Sequence, residues 1–264
     1  MKNILITGAN GNLGRVLRLK LKDWSEQLTL SDITDVENLA SGEANAQCDL
    51  ADFAAVNELV QGCDGIIHLG GVSTENTFEN ILNSNIIGTY NLYEASRKQG
   101  IKRILFASSN HAIGFHERET LLDANSPIRA DSLYGVSKGY GEILARLYYD
   151  KYQIETAIVR IGSCFEQPKD RRMLATWLSA DDFALLIKRI FETDRLGCPV
   201  IYGASANKEL WWDNSLVDYL GWKPVDSSDD FADLPHLQTK AVDANDPAIR
   251  YQGGGFAAAG HFED

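Results

Sequence analysis

From Lys2 to about Arg160, short apolar runs alternate with longer stretches in which apolar residues recur at helical spacing. Runs such as Ile4-Leu5-Ile6 and Ile104-Leu105-Phe106-Ala107 are continuously apolar, the pattern of strands buried on both faces of a parallel sheet. This reading predicts strands at 2–7, 27–31, 45–48, 65–69, 102–107 and 155–160. Helices are predicted at 12–23, 52–61, 77–99 and 133–152, the last marked by Val136, Tyr140, Ile143, Leu144, Leu147 and Tyr148. Strands alternating with helices imply right-handed crossovers, hence an α/β, Rossmann-type doubly wound parallel sheet.

After residue 160 the rhythm changes. A turn-rich segment from Gly162 to Lys169 leads to Arg171-Arg172-Met173, a helix near 180–194, a strand near 199–203 and a short helix near 213–220. Gly221 is placed to cap that helix. The segment 223–247 is polar and acidic and carries three of the six prolines, and Gly253-Gly254-Gly255 is the one low-complexity string. The chain therefore divides into a core over 1–165 and a small C-terminal, substrate-side cap over 166–264, within one compact domain.

Charge narrows the partners. With 25 Lys and Arg against 37 Asp and Glu the net charge is −12, and no basic run exceeds two or three residues. A duplex or an anionic membrane surface needs a basic face, so no nucleic acid and no membrane partner is expected. Cys48, Cys63, Cys164 and Cys198 lie far apart, as reduced thiols do, and not as a disulfide framework or zinc site. The histidines show no metal-ligand spacing, so no metal is assigned. The first residues run straight into a strand and no apolar stretch is long enough to span a bilayer, which gives a cytoplasmic expectation.

The chemistry begins at the first strand–helix junction. Gly8-Ala9-Asn10-Gly11-Asn12-Leu13-Gly14 follows the first strand and opens the first helix. Glycines at this spacing let the backbone turn tightly against a pyrophosphate, and the helix N-terminus offers N–H groups and a positive dipole end. Gly8, Gly11, Asn12, Leu13 and Gly14 are therefore cofactor-binding candidates. Asp32 ends the second predicted strand, where a carboxylate accepts hydrogen bonds from an adenosine ribose and repels a 2′-phosphate, favouring NAD over NADP. Arg15 is the residue that could weaken this preference. Asp49-Leu50 closes the third predicted strand and Leu69-Gly70-Gly71 the fourth, both at carboxyl ends, where open sheets bind ligands. Asp49 could meet the adenine amino group, while the glycines let a cofactor lie against the chain.

Tyr134-Gly-Val-Ser-Lys138 places a phenol and an ammonium one helical turn apart on one face. A free phenol has a pKa near about 10. A neighbouring Lys⁺ and a nicotinamide cation would favour the phenolate and make a base of it. Ser108-Ser109 follows the fifth strand, where a serine hydroxyl would hydrogen-bond the reacting oxygen and the tyrosine, and Ser109 stands five residues before Gly114.

Together the glycine turn, Asp32, Asn85-Ile-Ile-Gly-Thr89, the Ser109 segment and Tyr134/Lys138 resemble an extended short-chain dehydrogenase/reductase over roughly the first 165 residues. Two further strings resemble the uronate dehydrogenases: Ala107-Ser-Ser-Asn-His-Ala-Ile-Gly114, and Arg160-Ile-Gly-Ser-Cys-Phe165 followed by Arg171-Arg-Met-Leu-Ala-Thr-Trp-Leu-Ser179. The resemblance weakens beyond about residue 222. It implies NAD-dependent oxidation of a uronic acid, galacturonate or glucuronate, at C1 to the aldarolactone, with Tyr134 as base, Lys138 lowering its pKa and holding the nicotinamide ribose, and Ser109 polarising the reacting oxygen. It implies substrate contacts from Ser73, Ser109, Asn110, His111, Ser163 and Arg172, and a Cys164 that faces the nicotinamide through its backbone. A planar guanidinium suits a carboxylate bidentately, so Arg172 is expected to clamp the uronate and Arg171 to turn outward. Trp177, Trp211, Trp212 and Trp222 are expected to pack the cap.

Two other readings compete. A nucleotide-sugar epimerase or reductase would need a larger C-terminal region to grip the nucleotide diphosphate, and a non-catalytic NAD-sensing regulator typically lacks the Tyr/Lys pair that is intact here. A homo-oligomer is left open.

Overall fold

The computed structural model describes residues 2–238 and 243–263; positions 239–242 of the acidic segment 223–247 lie outside the described residues. Seven parallel strands form one sheet in the order β3-β2-β1-β4-β5-β6-β7. They are β1 (Asn3–Thr7), β2 (Gln27–Ser31), β3 (Glu43–Asn45), β4 (Gly65–His68), β5 (Arg103–Ser109), β6 (Glu155–Ile161) and β7 (Val200–Gly203). The strand order reverses between β1 and β4, which opens a crevice at their carboxyl ends.

The continuous apolar runs have the expected physical cause. In β1, Ile4 and Ile6 join a core on one face of the sheet and Leu5 a core on the other; in β5, Leu105 and Ala107 face one way and Ile104 and Phe106 the other. The first core is covered by α1 (Asn12–Lys20) and α7 (Ala180–Glu192), the second by α2 (Phe53–Leu59), α4 (Gly88–Gln99) and α5 (Leu133–Tyr152). Between α2 and α5, the predicted helix 77–99 is built as α3 (Phe78–Ile81), a π-helical turn over Leu82–Ile87, and α4 (Gly88–Gln99). Its last residue is followed by left-handed Gly100, which closes the final turn. The long α5 (Leu133–Tyr152) starts at Ser132, whose side chain accepts from the backbone N–H of Gly135.

One strand is shifted. β3 occupies 43–45 and not 45–48, so Asp49 and Leu50 follow an irregular edge rather than a strand end. The backbone still runs beside β2, with Ala46 N–H donating to Leu30 O (3.0 Å) and Cys48 N–H to Asp32 O (2.9 Å). Asn45 is the last residue in the ladder, opposite Leu30, and its side chain serves the neighbouring loop, accepting from Val36 N–H and donating to Asp35.

The sheet does not stop at β6. After the short α6 (Met173–Thr176), α7 (Ala180–Glu192) packs back on the sheet and β7 pairs with β6. The predicted helix near 213–220 is a 3₁₀ segment, Ser215–Leu220, capped by Gly221 at φ 63°. Trp177, Trp212 and Trp222 pack the cap: Trp177 donates to Phe165 O and Trp222 to Asp182 O, while Trp212 stacks on Tyr202. Trp211 lies against the same cluster as Trp212. The chain then returns to the loop after β5 through α8 (Pro247–Arg250) and α9 (Gly255–Ala258), with Tyr251 bridged to Glu117 and Phe256 stacked on His111. Among the described residues no helix is long and apolar enough to cross a membrane, and no group of three or more His, Cys, Asp or Glu could hold a metal.

Candidate active site

A cleft of about 930 Å³ runs along the carboxyl ends of the strands, and every site residue predicted above lines it. At one end, Gly8 turns at φ 72°, and a Cβ there would sit 2.8 Å from the backbone nitrogen of Gly70. A Cβ at Gly14 would be 2.2 Å from Gly8 O and 2.7 Å from the Cα of Ala9. The glycines are thus required by close backbone approach at the junction of β1 and β4. The first turn of α1 has no side-chain cap, unlike α2, α5 and α7, so Asn12, Leu13 and Gly14 present an uncapped helix N-terminus to the cleft. A pyrophosphate fits these groups.

Asp32 accepts from the Asn10 N–H (2.9 Å) and its own neighbour Ile33 N–H (2.8 Å), which pins its carboxylate at the rim beside the glycine turn. Asp32 lines the cleft; Arg15 is exposed and does not. Asp49 lines the same end, and Leu50 packs where a Cβ on Gly70 would fall, 2.7 Å from the Leu50 Cδ1.

The proton-handling groups are at the other end, at β5 and the start of α5. Tyr134 and Lys138 are each 7% exposed and Ser109 is 6% exposed, so little water reaches them. The Lys138 ammonium stands 5.5 Å from the Tyr134 ring centre and 5.4 Å from that of Phe106. Ser109 faces the site, whereas its neighbour Ser108 is used in packing: it donates to Glu142, which is paired with buried Arg160 at 2.8 Å. That network separates the two serines by role.

The expected lowering of the Tyr134 pKa is not present in the protein alone. Burial pushes the phenol up to about 12, the contact with Ser109 draws it back, and Asp131 pushes it up again. Burial also brings Lys138 down to about 8, because an ammonium in this pocket loses its hydration. Desolvation dominates in the protein alone, so further positive charge is required before the phenol can act as a base near neutral pH. Burial likewise pushes the Cys164 thiol up to about 12, so it is an inert thiol at the cleft wall.

The remaining groups form the substrate-side wall. Ser73 lies in the exposed loop after β4. His111 donates through Nδ1 to the buried Asp131 carboxylate (2.8 Å), which leaves Nε2 for a ligand. Arg172 is held on three sides. Its Nε donates to Gln252 O (2.9 Å), Nη1 reaches Ser163 Oγ and Thr176 Oγ1 (both 3.3 Å), and Nη2 donates to the Asn110 side-chain oxygen (2.8 Å) once that amide is oriented by its neighbours. Among the described residues no carboxylate pairs with it, and burial lowers its pKa. Arg171 points outward to Glu209 at 3.3 Å, both half exposed.

A model of the NAD dependent epimerase/dehydratase family matches residues 4–191. A uronate dehydrogenase of Agrobacterium fabrum is 53% identical over 256 residues, 97% of each chain. The chain belongs to the uronate dehydrogenase family. Its fold agrees with two solved family structures. A glucuronic acid dehydrogenase from Chromohalobacter salexigens superposes with a TM-score of 0.97 at 54% identity, covering 100% of this chain and 99% of that one. A mutant uronate dehydrogenase from Agrobacterium tumefaciens complexed with NAD gives 0.96 at 52% identity, covering 99% of each.

In this uronate dehydrogenase fold, the C-terminal segment supplies site residues that pattern reading missed. Gly253, Gly255 and Phe256 line the cleft, and the Phe256 ring stacks on His111 with centres 3.9 Å apart. Gly253 and Gly254 form a packing seam, while Gly255 has open space around it: a Cβ on Gly253 would come 1.9 Å from the Asp131 carboxylate, and one on Gly254 2.7 Å from the Arg172 side chain. Gln252 is fully buried; besides accepting from Arg172 it takes the Trp212 indole N–H and donates to the backbone oxygens of Glu117 and Thr120. The only signal in the sequence was the glycine triplet itself.

Proposed function

We propose that this chain oxidises a free uronic acid, galacturonate or glucuronate, at the anomeric carbon to the aldarolactone, using NAD. The observation that carries the substrate class is Arg172: a guanidinium buried without a carboxylate partner among the described residues, lining the same cleft as Tyr134, Lys138 and Ser109 and linked to Ser109 through the adjacent Asn110. A buried cation is costly unless paired, and the carboxylate of a uronate supplies the missing charge in the planar geometry that a guanidinium matches.

The family and the uncapped glycine turn support NAD as cofactor. Gly8, Gly11, Asn12, Leu13 and Gly14 would hold its pyrophosphate, Asp32 the adenosine ribose, Asp49 and Leu50 the adenine side, and Leu69, Gly70, Gly71 and Cys164 the nicotinamide half. When bound, NAD⁺ supplies a hydride acceptor and a positive ring charge. Tyr134 then takes the proton of the anomeric hydroxyl, helped by that charge and by Lys138, while the hydrogen on the same carbon leaves as hydride. Ser109 donates to the reacting oxygen, and Ser73, Asn110, His111 and Ser163 orient the sugar. Asp32, with Arg15 outside the cleft, supports NAD over NADP, and the absence of basic runs in the sequence supports a small-molecule partner rather than nucleic acid.

The test is NADH formation followed at 340 nm with galacturonate, glucuronate, galactose and glucose. Turnover confined to the two acids supports the proposal; equal turnover of the neutral sugars refutes it.

A further inference from the structure

The loop after β4 does more than line the cleft. Glu75 sits on it, two residues beyond Ser73, and its carboxylate reaches across to the start of α5. Oε2 accepts from the Tyr134 N–H at 2.7 Å and Oε1 from the Leu133 N–H at 3.0 Å. On the far side of the same residue, the Tyr134 carbonyl accepts from Ser137 Oγ (2.7 Å), whose oxygen accepts in turn from Asn85 Nδ2 (2.9 Å). Asn85 is held by the same loop, accepting from the Val72 N–H (2.8 Å) and donating to the Val72 oxygen (3.0 Å). The helix already has a cap from its own segment, since Ser132 accepts from the Gly135 N–H. Glu75 is therefore an added grip from a distant loop.

We infer that Glu75 is a positioning residue: with Asn85 it clamps the peptide groups of Tyr134 to the loop that carries Ser73, so that the sugar contact and the base are set by one rigid unit. This rests on the reading of Tyr134 as base. The phenol must meet both the substrate hydroxyl and Ser109, and a displacement of about 1 Å in such a site costs on the order of a hundredfold in rate. The carboxylate also suits the positive end of the α5 dipole.

Purified full-length Glu75→Gln and Glu75→Asp are the test, with galacturonate and NAD. Gln keeps one acceptor and turns an amide N–H₂ toward a backbone N–H; Asp keeps the charge but is one methylene short of both nitrogens. Both should lower kcat by about tenfold to a hundredfold, with the NAD dissociation constant within about twofold of the parent, since the clamp touches no group of the glycine turn. The pH profile separates positioning from charge. A displaced phenol loses the Ser109 contact that draws its pKa down, so the acid limb of kcat/KM should move to higher pH in both variants. Loss of a nearby negative charge alone would move it lower in Gln and leave Asp like the parent. That pattern, or a kcat per folded molecule equal to the parent in both, would overturn the inference. Parental activity in Tyr134→Phe would instead remove the underlying assignment of the base.

Discussion

Replacing Arg172 separates the reading of a carboxylate from the shaping of a loop. Its guanidinium has fixed neighbours on three sides, at 2.9 Å from Gln252 O, 3.3 Å from Ser163 and Thr176, and 2.8 Å from Asn110. What it lacks among the described residues is a carboxylate at ion-pair distance; Asp170 and Asp131 act on it only from further away. If the uronate supplies that carboxylate, Arg172→Ala removes one partner of a buried charge pair, a loss of about 2–5 kcal/mol. At about 1.4 kcal/mol per decade this is roughly a thirtyfold to several-thousandfold fall in kcat/KM on galacturonate. Arg172→Lys keeps the charge and loses the fork, so at least one charge-assisted hydrogen bond goes, about 1.5–3 kcal/mol or roughly ten- to a hundredfold.

The loss should be confined to acids. A neutral aldose offers no carboxylate, so any slow turnover of galactose should change little, and NAD affinity should hold because no residue of the glycine turn touches Arg172. Steady-state NADH formation by the parent and both variants on galacturonate and galactose, with NAD titrated separately, measures all of this. Equal losses on the two sugars would refute the clamp and show that Arg172 only fastens the 162–173 loop to Gln252.

Tyr134→Phe should lower kcat by about 10²–10⁴ with NAD binding intact; activity within tenfold of the parent removes Tyr134 from the mechanism. Asp32→Ala should weaken NAD binding and relax discrimination against NADP, and a parent that uses both cofactors equally contradicts the role given to Asp32. Lys138→Met should abolish turnover yet raise Tm near pH 7, because burial lowers the ammonium from 10.5 to about 8, a cost of roughly 3 kcal/mol. The unfolded chain binds the proton more tightly than the folded one, so parent stability from this group rises between pH 8 and 10.5, and the advantage of the variant should shrink by about half by pH 9.5; a gain that is flat with pH counts against a buried ammonium.

What the sequence made legible is what local pattern controls. Continuous apolar strands, the helical period of 133–152 and the glycine turn all follow from constraints within a few residues, and they brought the dinucleotide-side candidates into one cleft. The boundary of β3 failed by two or three residues because the edge segment with Glu43, Asn45 and Gln47 has little apolar signal, and the strand ends at Asn45, whose side chain accepts from Val36 N–H. The direction of the Tyr134 pKa was not legible either. Spacing places Lys138 one turn away, but burial depends on Phe256, Asp131 and the whole cap, which meet only in three dimensions. The same holds for the groups that orient the substrate wall. Gln252 grips Arg172 across 80 residues and Glu75 grips Tyr134 across 59, so no window of sequence contains either pair. The residues expected to touch ligand were thus readable as motifs, while those that hold them were not. The carboxyl ends of the strands fix where such chemistry can occur, and the returning C-terminal segment, through Gln252 and Phe256, fixes the orientation of Arg172 and His111 toward what is bound there.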